Sequence, residues 1–420
     1  MSTLKVNKLR DTAGSADAIV LDPNGGAVLA GVTTVTSVKV GAAVTISESG
    51  IEASGIGITC ANINGTQIGG RRNLIINGAM NVAQRGTSST TLGYQTVDRM
   101  YGGFANTDEA PTFTQADISS SDDPYKEGFR KSYKIQNGNQ TSGAGSADEV
   151  YMRYKVEAQD LAQSGWDYTS ASSFITLSFW VKSSVSQQFQ TNIRIYPESG
   201  DQKEFCFGYT PAANTWTKVV KTIPGASGNV LRGDNDTGMF LQFTQFYGTD
   251  FTANTRNFDT WETKNNNQNF KDFTTTWYET NDATWEITGF QLEVGPQATP
   301  FEHRSFGEEL SFCQRYFYSV GDGVNGANLA QGIKGSATSA RYTIYYPVPM
   351  RTAPTFTYNS LKVDSETSGS YQDITSVQST TATTISARLA LGCDSSAGQG
   401  SACTLLTDST SSYLRGSAEL

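Results

Sequence analysis

Histidine is almost missing from this sequence: His303 stands alone among 420 residues. Ser-His-Asp and Cys-His catalysis needs a base oriented against its nucleophile, and a lone histidine on a connector is expected to be a hydrogen-bonded linker residue. No Gly-x-Ser-x-Gly elbow occurs, and no glycine cluster runs into Lys-Ser or Lys-Thr, so neither that hydrolase turn nor a phosphate loop is expected. Cysteine is scarce too. Cys60, Cys206, Cys313, Cys393 and Cys403 form no CxxC pair and no Cys/His spacing, which argues against a zinc site or a disulfide framework. Reduced, mostly buried thiols are expected, and Cys393 and Cys403, flanking a Gly/Ser loop, are the one pair placed to bridge. Lys and Arg nowhere cluster and the net charge is −9, so nucleic acid is not an expected partner. No apolar run approaches the roughly 20 residues of a membrane span, and no membrane insertion is expected. The opening "MSTLKVNKLRDTAG" lacks an apolar h-region, so ordinary secretion is not expected either.

What the chain holds in quantity is glycine, at 41 residues, and aromatics, with 6 Trp, 19 Tyr and 21 Phe. Aromatic and β-branched side chains suit a pleated surface, while Gly and Asn supply tight turns, so strands are expected to dominate. The length allows two or three packed units at about 100–200 residues each. Residues 1–72 differ from the rest in being small, Val/Ile/Thr-rich and nearly free of aromatics. Short alternating runs such as Val38–Val40 and Val44–Ile46 are broken by glycine. Such a segment alone buries too little apolar area to offset its ordering entropy. Two readings stand: three copies winding into a fibrous stalk, or a disordered tail.

At Asn73 the composition shifts. "NLIINGAMNVAQRG" reads as an apolar strand, an Asn-Gly turn and an apolar continuation. "SSFITLSFWVKSS" alternates, with Ile175, Leu177, Phe179 and Val181 on one face and Thr176, Ser178, Trp180 and Lys182 on the other. "QTNIRIYP" turns Ile193 and Ile195 inward, "KEFCFGYT" and "TWTKVVKTIPG" continue the pattern, and "GMFLQFTQFYG" sets Phe240, Gln242, Thr244 and Phe246 against Leu241, Phe243 and Gln245. In "WEITGFQLEV", Phe290, Leu292 and Val294 share a face, and Gly289 admits a close neighbour. Gly295-Pro296 then stops the strand. Many short strands between turns predict a jelly-roll β-sandwich over 73–304. Ser305 and Glu308 make a capping box for a short connecting helix within 305–317, whose stripe Phe306, Leu310, Cys313 and Phe317 either packs on its neighbours or forms a three-fold collar. Residues 318–420, with "ARYTIYYPVPMRTAPTFTYNSLKV" and "DITSVQSTTATTISARLAL", predict a small C-terminal β-sandwich. The expected class is mostly β.

Several of these segments carry a family likeness. "MSTLKVNKLRDTAG", "NLIINGAMNVAQRG", "DRMYGG", "FITLSFWVKSS", "TWTKVVKTIPG", "ITGFQLEVGPQATPFE", "EELSFCQRYF" and "PVPMRTAPTFT" resemble bacteriophage tail-fibre and adhesin proteins of the marine and cyanobacterial phage type, with a carbohydrate-binding-module-like jelly roll. The resemblance implies a homotrimeric tail fibre of the virion, assembled in the host bacterial cytoplasm. Its N-terminus would attach to tail or baseplate proteins, and its distal domains, with the C-terminal unit as the candidate tip, would bind bacterial surface polysaccharide or lipopolysaccharide. A tailspike-type depolymerase remains an alternative, because glycoside cleavage needs only two carboxylates roughly 5–10 Å apart. A structural connector of the tail is a second. No enzyme activity is expected.

For a site, the segment Tyr247–Asp282 combines rings that stack on sugars with amides that pair hydroxyls. Its candidates are Trp261, Trp277, Tyr278, Asn265 and Asn267, in a saccharide-facing loop or else a trimer-interface arm. Trp180 and Trp216 are expected in the core. Asp234 and Asp236, at Asp-x-Asp spacing beside glycine, make either a solvated turn or a structural calcium site, although the bidentate Glu of an EF-hand is missing. No other cofactor is expected.

Overall fold

The N-terminal strands pair locally. Lys8–Arg10, Asp17–Leu21 and Ala27–Leu29 form one antiparallel sheet; Ser37–Val40, Val44–Ser47 and Gly50–Ala53 form another. The alternating runs at Val38–Val40 and Val44–Ile46 are therefore strands. The computed structural model describes these six strands and residues 72–420 other than 322, 366–370 and 395–397. Cys60 and the remaining residues of 1–71, on which the expected fibrous stalk also falls, lie outside the described residues. Met1–Ala61 and Asn62–Leu420 are separate compact units.

In the larger unit two six-stranded antiparallel sheets face each other. One runs Thr217–Pro224, Phe174–Ser183, Thr284–Val294, Lys131–Gln136, Thr112–Asp117, Ser88–Ser89. The other runs Trp261–Thr263, Lys203–Tyr209, Phe189–Ile195, Thr237–Tyr247, Glu149–Glu157, Tyr101–Ala105. Between them lie Ile175, Leu177, Phe179 and Val181 from the first sheet and Ile193, Phe205, Leu241 and Phe243 from the second, all buried. This is the expected jelly-roll sandwich. The strand Glu149–Glu157 follows the same alternation, with Val150, Met152, Tyr154 and Val156 turned into the core.

Two bulges reset strict alternation. Val150 pairs with Phe246 but Tyr151 with Thr244, so Gln245 is the extra residue and Phe246 joins Leu241 and Phe243 in the core rather than Phe240 outside. In the other sheet Ser178 pairs with Gln291 but Trp180 with Thr288, so Trp285, Ile287, Phe290 and Leu292 all point inward. Gly289 sits at this second bulge with φ +60°, and a Cβ there would stand 2.8 Å from the Phe129 ring. The expected close approach is real.

The expected apolar strand in "NLIINGAMNVAQRG" does not form. The turn is there, closed by Met80 N–H donating to Asn77 O at 2.9 Å, but its flanks are an irregular, buried segment. Asparagine side chains replace the ladder: Asn73 Oδ1 accepts from Ile75 and Leu292 backbone N–H, and Asn77 bonds Val82 and the Asp98 carbonyl. Buried side-chain amides that satisfy backbone groups make a strand unnecessary.

Helix Phe306–Gln314 carries the reciprocal capping box of Ser305 and Glu308. Leu310 and Cys313 pack with Tyr316 on Ile76 and Val82 of the same chain. Phe306 is 60% exposed, and Phe317 opens a strand, so the apolar stripe is shorter than its spacing suggests. The small C-terminal β-sandwich expected over 318–420 takes another form. Six strands close into a barrel in the order Asn328–Ser336, Ser339–Tyr345, Ser386–Cys393, Tyr371–Ala382, Leu361–Asp364, Ala402–Thr407, and closure removes the edges a sandwich would leave unpaired. A three-stranded sheet of Phe317–Val320, Tyr413–Ser417 and Thr355–Asn359 shares its core.

Barrel and sandwich are joined by buried charge. Arg99, 1% exposed, ion-pairs Glu419, donates to Lys155 O at 2.8 Å and lies 3.4 Å over the Tyr316 ring. Arg85 reaches Glu419 at 3.1 Å. Arg315 donates twice to Glu157 at 2.9 Å, and the Tyr316 hydroxyl joins them at 2.5 Å. Burial pushes the Glu157 carboxyl up, but these donors outweigh it and hold its pKa below the usual range. Removing one partner of such a pair strands a buried charge at about 3–5 kcal/mol. Glu419→Ala is expected to lose stability on that scale in urea denaturation, against under about 0.5 kcal/mol for an exposed control such as Asp123→Ala.

Asp98, also buried, is raised by burial from 3.8 to about 6, with Arg85 and Gln84 opposing. The folded chain therefore binds this proton more tightly, so the group's contribution to stability falls as pH rises from about 4 to about 6. Asp98→Asn should gain on the wild-type chain across that window by up to about 3 kcal/mol, as read by urea denaturation at both ends.

Candidate functional site

Three neighbouring strands of the second sheet turn polar side chains outward. Registration sets Arg153, Gln242 and Asn192 side by side, and Phe240 beside Arg194. Each alternates with a core residue: Arg153 with Met152 and Tyr154, Gln242 with Leu241 and Phe243, Asn192 with Ile193. The segment Tyr247–Asp282 folds back over part of this face. Phe270 packs against Tyr247 and Cys206, with Tyr151, Phe251, Phe258 and Phe273 around them. The arm is pinned by charge, since Glu204, fully buried, is paired with Arg194 on the sheet strand Phe189–Ile195 and lies 3.7 Å from Arg256 on the arm. Arg256 in turn holds Glu262 at 2.7 Å.

Between arm and sheet remains a cleft of about 220 Å³, floored by Arg153, Asn192, Arg194, Phe240 and Gln242 and walled by Glu149, Lys264, Asn266 and Asn269. Its volume lies below the roughly 300–1,000 Å³ of drug-sized pockets, which suits one unit of a longer ligand. Arg153 donates to Gln242 Oε1 at 2.6 and 3.0 Å and lies 4.9 Å over the Phe240 ring. Lys264 bonds the Asn266 side chain, and burial together with the Arg194 guanidinium holds its pKa below the ordinary lysine range. Neither Arg153 nor Lys264 pairs with a carboxylate among the described residues. Burial raises the Glu149 carboxyl, partly opposed by the Tyr247 hydroxyl and Arg153. Asn192 is 1% exposed; its Nδ2 donates to Asn269 O at 3.1 Å, and its Oδ1 has no partner. A buried acceptor left open in a polar cleft can take a donor from water or from a bound ligand.

The residues named from the sequence divide. Trp277 and Tyr278 are not surface platforms: both are fully buried in the sandwich core, where Trp277 Nε1 donates to Thr284 O at 3.1 Å and Tyr278 stacks on Phe246 at 4.3 Å. The short helix Thr276–Glu279 turns them inward, which a ring-and-amide count does not register. Trp261 is half-buried on an edge strand, its indole N–H spent on Pro224 O at 2.7 Å. Asn265 and Asn267 are exposed, with Asn267 N–H donating to Asn265 Oδ1 at 3.2 Å, whereas their neighbours Asn266 and Asn269 reach the cleft. Of the arm's rings, Phe270 is buried on the chain's own sheet, with Phe251, Phe258 and Phe273 packed around it. Glu149, Arg153, Asn192, Arg194 and Gln242 were missed. Their signal was the outward parity of three strands.

Elsewhere the expectations are simpler. Trp216 is buried, and Trp180 half-buried, beneath the segment holding Asp122 and Glu127, to which their indoles donate at 3.0 Å. His303 bonds Glu127 O at 2.9 Å and packs on Phe129 and Phe301, a linker role. Cys206, Cys313, Cys393 and Cys403 are free and buried. Asp234 and Asp236 both face Arg232, at 2.5 and 3.4 Å, and no third carboxylate, His or Cys completes a cluster among the described residues. Calcium takes 6–8 oxygens, so at this turn Asp234 and Asp236 would need backbone carbonyls and water to complete a shell, with Arg232 competing for both carboxylates.

The fold and cleft define a jelly-roll sandwich with a polar outer face. No protein-family model and no curated protein sequence matches the chain. Among solved structures, the family 11 carbohydrate-binding module of a Clostridium thermocellum cellulosomal cellulase is 11% identical over 52% of this chain and 98% of its own, with a TM-score of 0.25. The CBM22-1 xylan-binding domain from Paenibacillus barcinonensis Xyn10C is 9% identical over 50% of this chain and 94% of its own, at 0.24. The enzymatically active domain of tailspike protein 4 of bacteriophage CBA120 is 10% identical over 53% of this chain, at 0.29, and the match spans only 21% of that domain.

Core and cleft separate in their response to mutation. Trp277→Ala should cost about 3–5 kcal/mol in denaturation. Asn265→Ala, exposed and outside the cleft, should leave stability within about 0.5 kcal/mol.

Proposed function

We propose that this protein is a non-enzymatic, glycan-binding adhesin, and that the cleft between the second sheet and its covering arm holds an acidic unit of a bacterial surface polysaccharide. The observation that carries this reading is the open Asn192 acceptor among convergent donors. Asn192 Oδ1 and Glu149 would take sugar hydroxyl protons; Gln242 and Asn269 add amides; Phe240 supplies a ring. Arg153 and Lys264, without carboxylate partners among the described residues, favour a ligand bearing a carboxylate. Glu149 is the only carboxylate among the residues lining the cleft, whereas glycoside hydrolysis uses a pair, which supports binding without cleavage.

The finer reading is a homotrimeric tail fibre of a phage virion, attached through its N-terminus to tail proteins. It rests on the sequence motifs and on the N-terminal strands of only three to five residues, grouped in two three-stranded sheets. Trimerisation would also make weak single-sugar sites effective through multivalency.

An array of neutral and uronate-containing bacterial glycans tests the binding. Retention of acidic glycans that weakens as salt rises is expected. Arg153→Ala and Lys264→Ala should each lower affinity about ten- to a hundredfold with the fold intact. Indifference to both substitutions, or a preference for neutral glycans, would overturn the assignment. New reducing ends released from a bound polysaccharide would show a depolymerase instead, and sedimentation at the monomer mass would defeat the trimer.

A further inference from the structure

The C-terminal barrel buries a lysine against a thiol. Lys334 is 1% exposed and makes no ion pair with a carboxylate among the described residues. Its Nζ stands 2.8 Å from Gln372 Oε1 and 2.8 Å from Cys393 Sγ. Burying an ammonium is costly unless it is paired or neutralised, and one amide oxygen satisfies only one of its three protons. The second contact is unusual in length. N–H···O bonds fall at about 2.7–3.2 Å, and sulfur is the larger atom, so an N–H···S contact is expected to be longer. Nitrogen and sulfur here lie at a separation suited to two atoms joined through a third.

The barrel makes this pairing specific. Lys334 lies on Asn328–Ser336 and Cys393 on Ser386–Cys393, the strands on either side of Ser339–Tyr345. Gln372 comes from Tyr371–Ala382, the next strand round. Cys393 N–H donates to Thr338 O at 3.0 Å, and Lys334 N–H to Ser401 O at 2.9 Å, so both backbones are held where the side chains meet. Cys403 and Tyr342 lie in the same core.

We propose that Lys334 and Cys393 are a site of covalent cross-linking, one oxygen atom bridging the lysine nitrogen to the cysteine sulfur, with dioxygen as the oxidant. Written for neutral amine and thiol, the S–H bond and one N–H bond break while S–O and O–N bonds form. The second oxygen atom leaves as water with the two hydrogens. Sulfur and nitrogen each give up two electrons, and dioxygen takes all four. Sulfenic acid, the first step of thiol oxidation, is the natural entry. The bridge would neutralise the buried amine and tie together residues 59 positions apart.

The test is mass spectrometry of the full chain kept in air and digested without reductant. A peptide pair containing Lys334 and Cys393, heavier than the sum of its parts by one oxygen and lighter by two hydrogens, is expected. A thiol reductant should release it as two peptides, and the reduced chain should melt at a lower temperature. Lys334→Arg should abolish the joined pair. Should that variant fail to fold, wild-type chain prepared without oxygen and lacking the added mass serves the same purpose. Separate, unmodified Lys334 and Cys393 peptides after prolonged aeration would overturn the proposal. So would a Cys393–Cys403 disulfide, which loses two hydrogens and gains no oxygen.

Discussion

Glu419 is where the C-terminal part of the larger unit is fastened. Its carboxylate meets Arg99 and Arg85, two guanidinium groups that are themselves buried, and the neighbouring carbonyls of Ala418 and Leu420 take donors from Arg351 and Lys155. Without Glu419, Arg99 would lack its counter-charge, so this part of the contact between barrel and sandwich is fastened by one acidic side chain arriving from far along the chain. A second pair, Glu157 with Arg315, fixes the end of a sandwich strand to the residue after the helix. Buried pairs of this kind set geometry more than they add stability, because desolvation takes back most of the Coulomb gain.

The same device shapes the cleft. Glu204 neutralises Arg194 and lies near Arg256, which orients Arg194 toward the opening and holds the arm over the sheet at once. Phe251, Phe258, Phe270 and Phe273 bury the arm's underside, so its polar upper edge is carried on a packed support. The floor residues stand on strands rather than loops, and their spacing follows from strand register. A binding surface made this way is rigid before any ligand arrives, which lowers the ordering cost of binding.

How much of this was legible depends on what each residue reports. The inward series Ile175, Leu177, Phe179, Val181 was unambiguous, because period-two alternation is a local property. Phe246 was misplaced because a bulge at Gln245 slips the register by one, and nothing in the local pattern marks that slip. Trp277 and Tyr278 have the composition of a sugar platform but turn into the core through a one-turn helix. Asn77 illustrates the converse error: an apolar run around it suggests a strand, yet its amide takes over the hydrogen bonds a ladder would have made.

The mostly β class, the strand stop at Gly295-Pro296 and the Ser305–Glu308 helix start can all be read from the residues alone, since each follows from contacts within a few positions. Which outward-facing residues share a cleft, the closure of the C-terminal strands into a barrel, and the meeting of Lys334 with Cys393 emerge only once the chain is folded. Those outcomes rest on pairings between strands far apart in the chain, and no local pattern encodes which distant neighbour a side chain will meet.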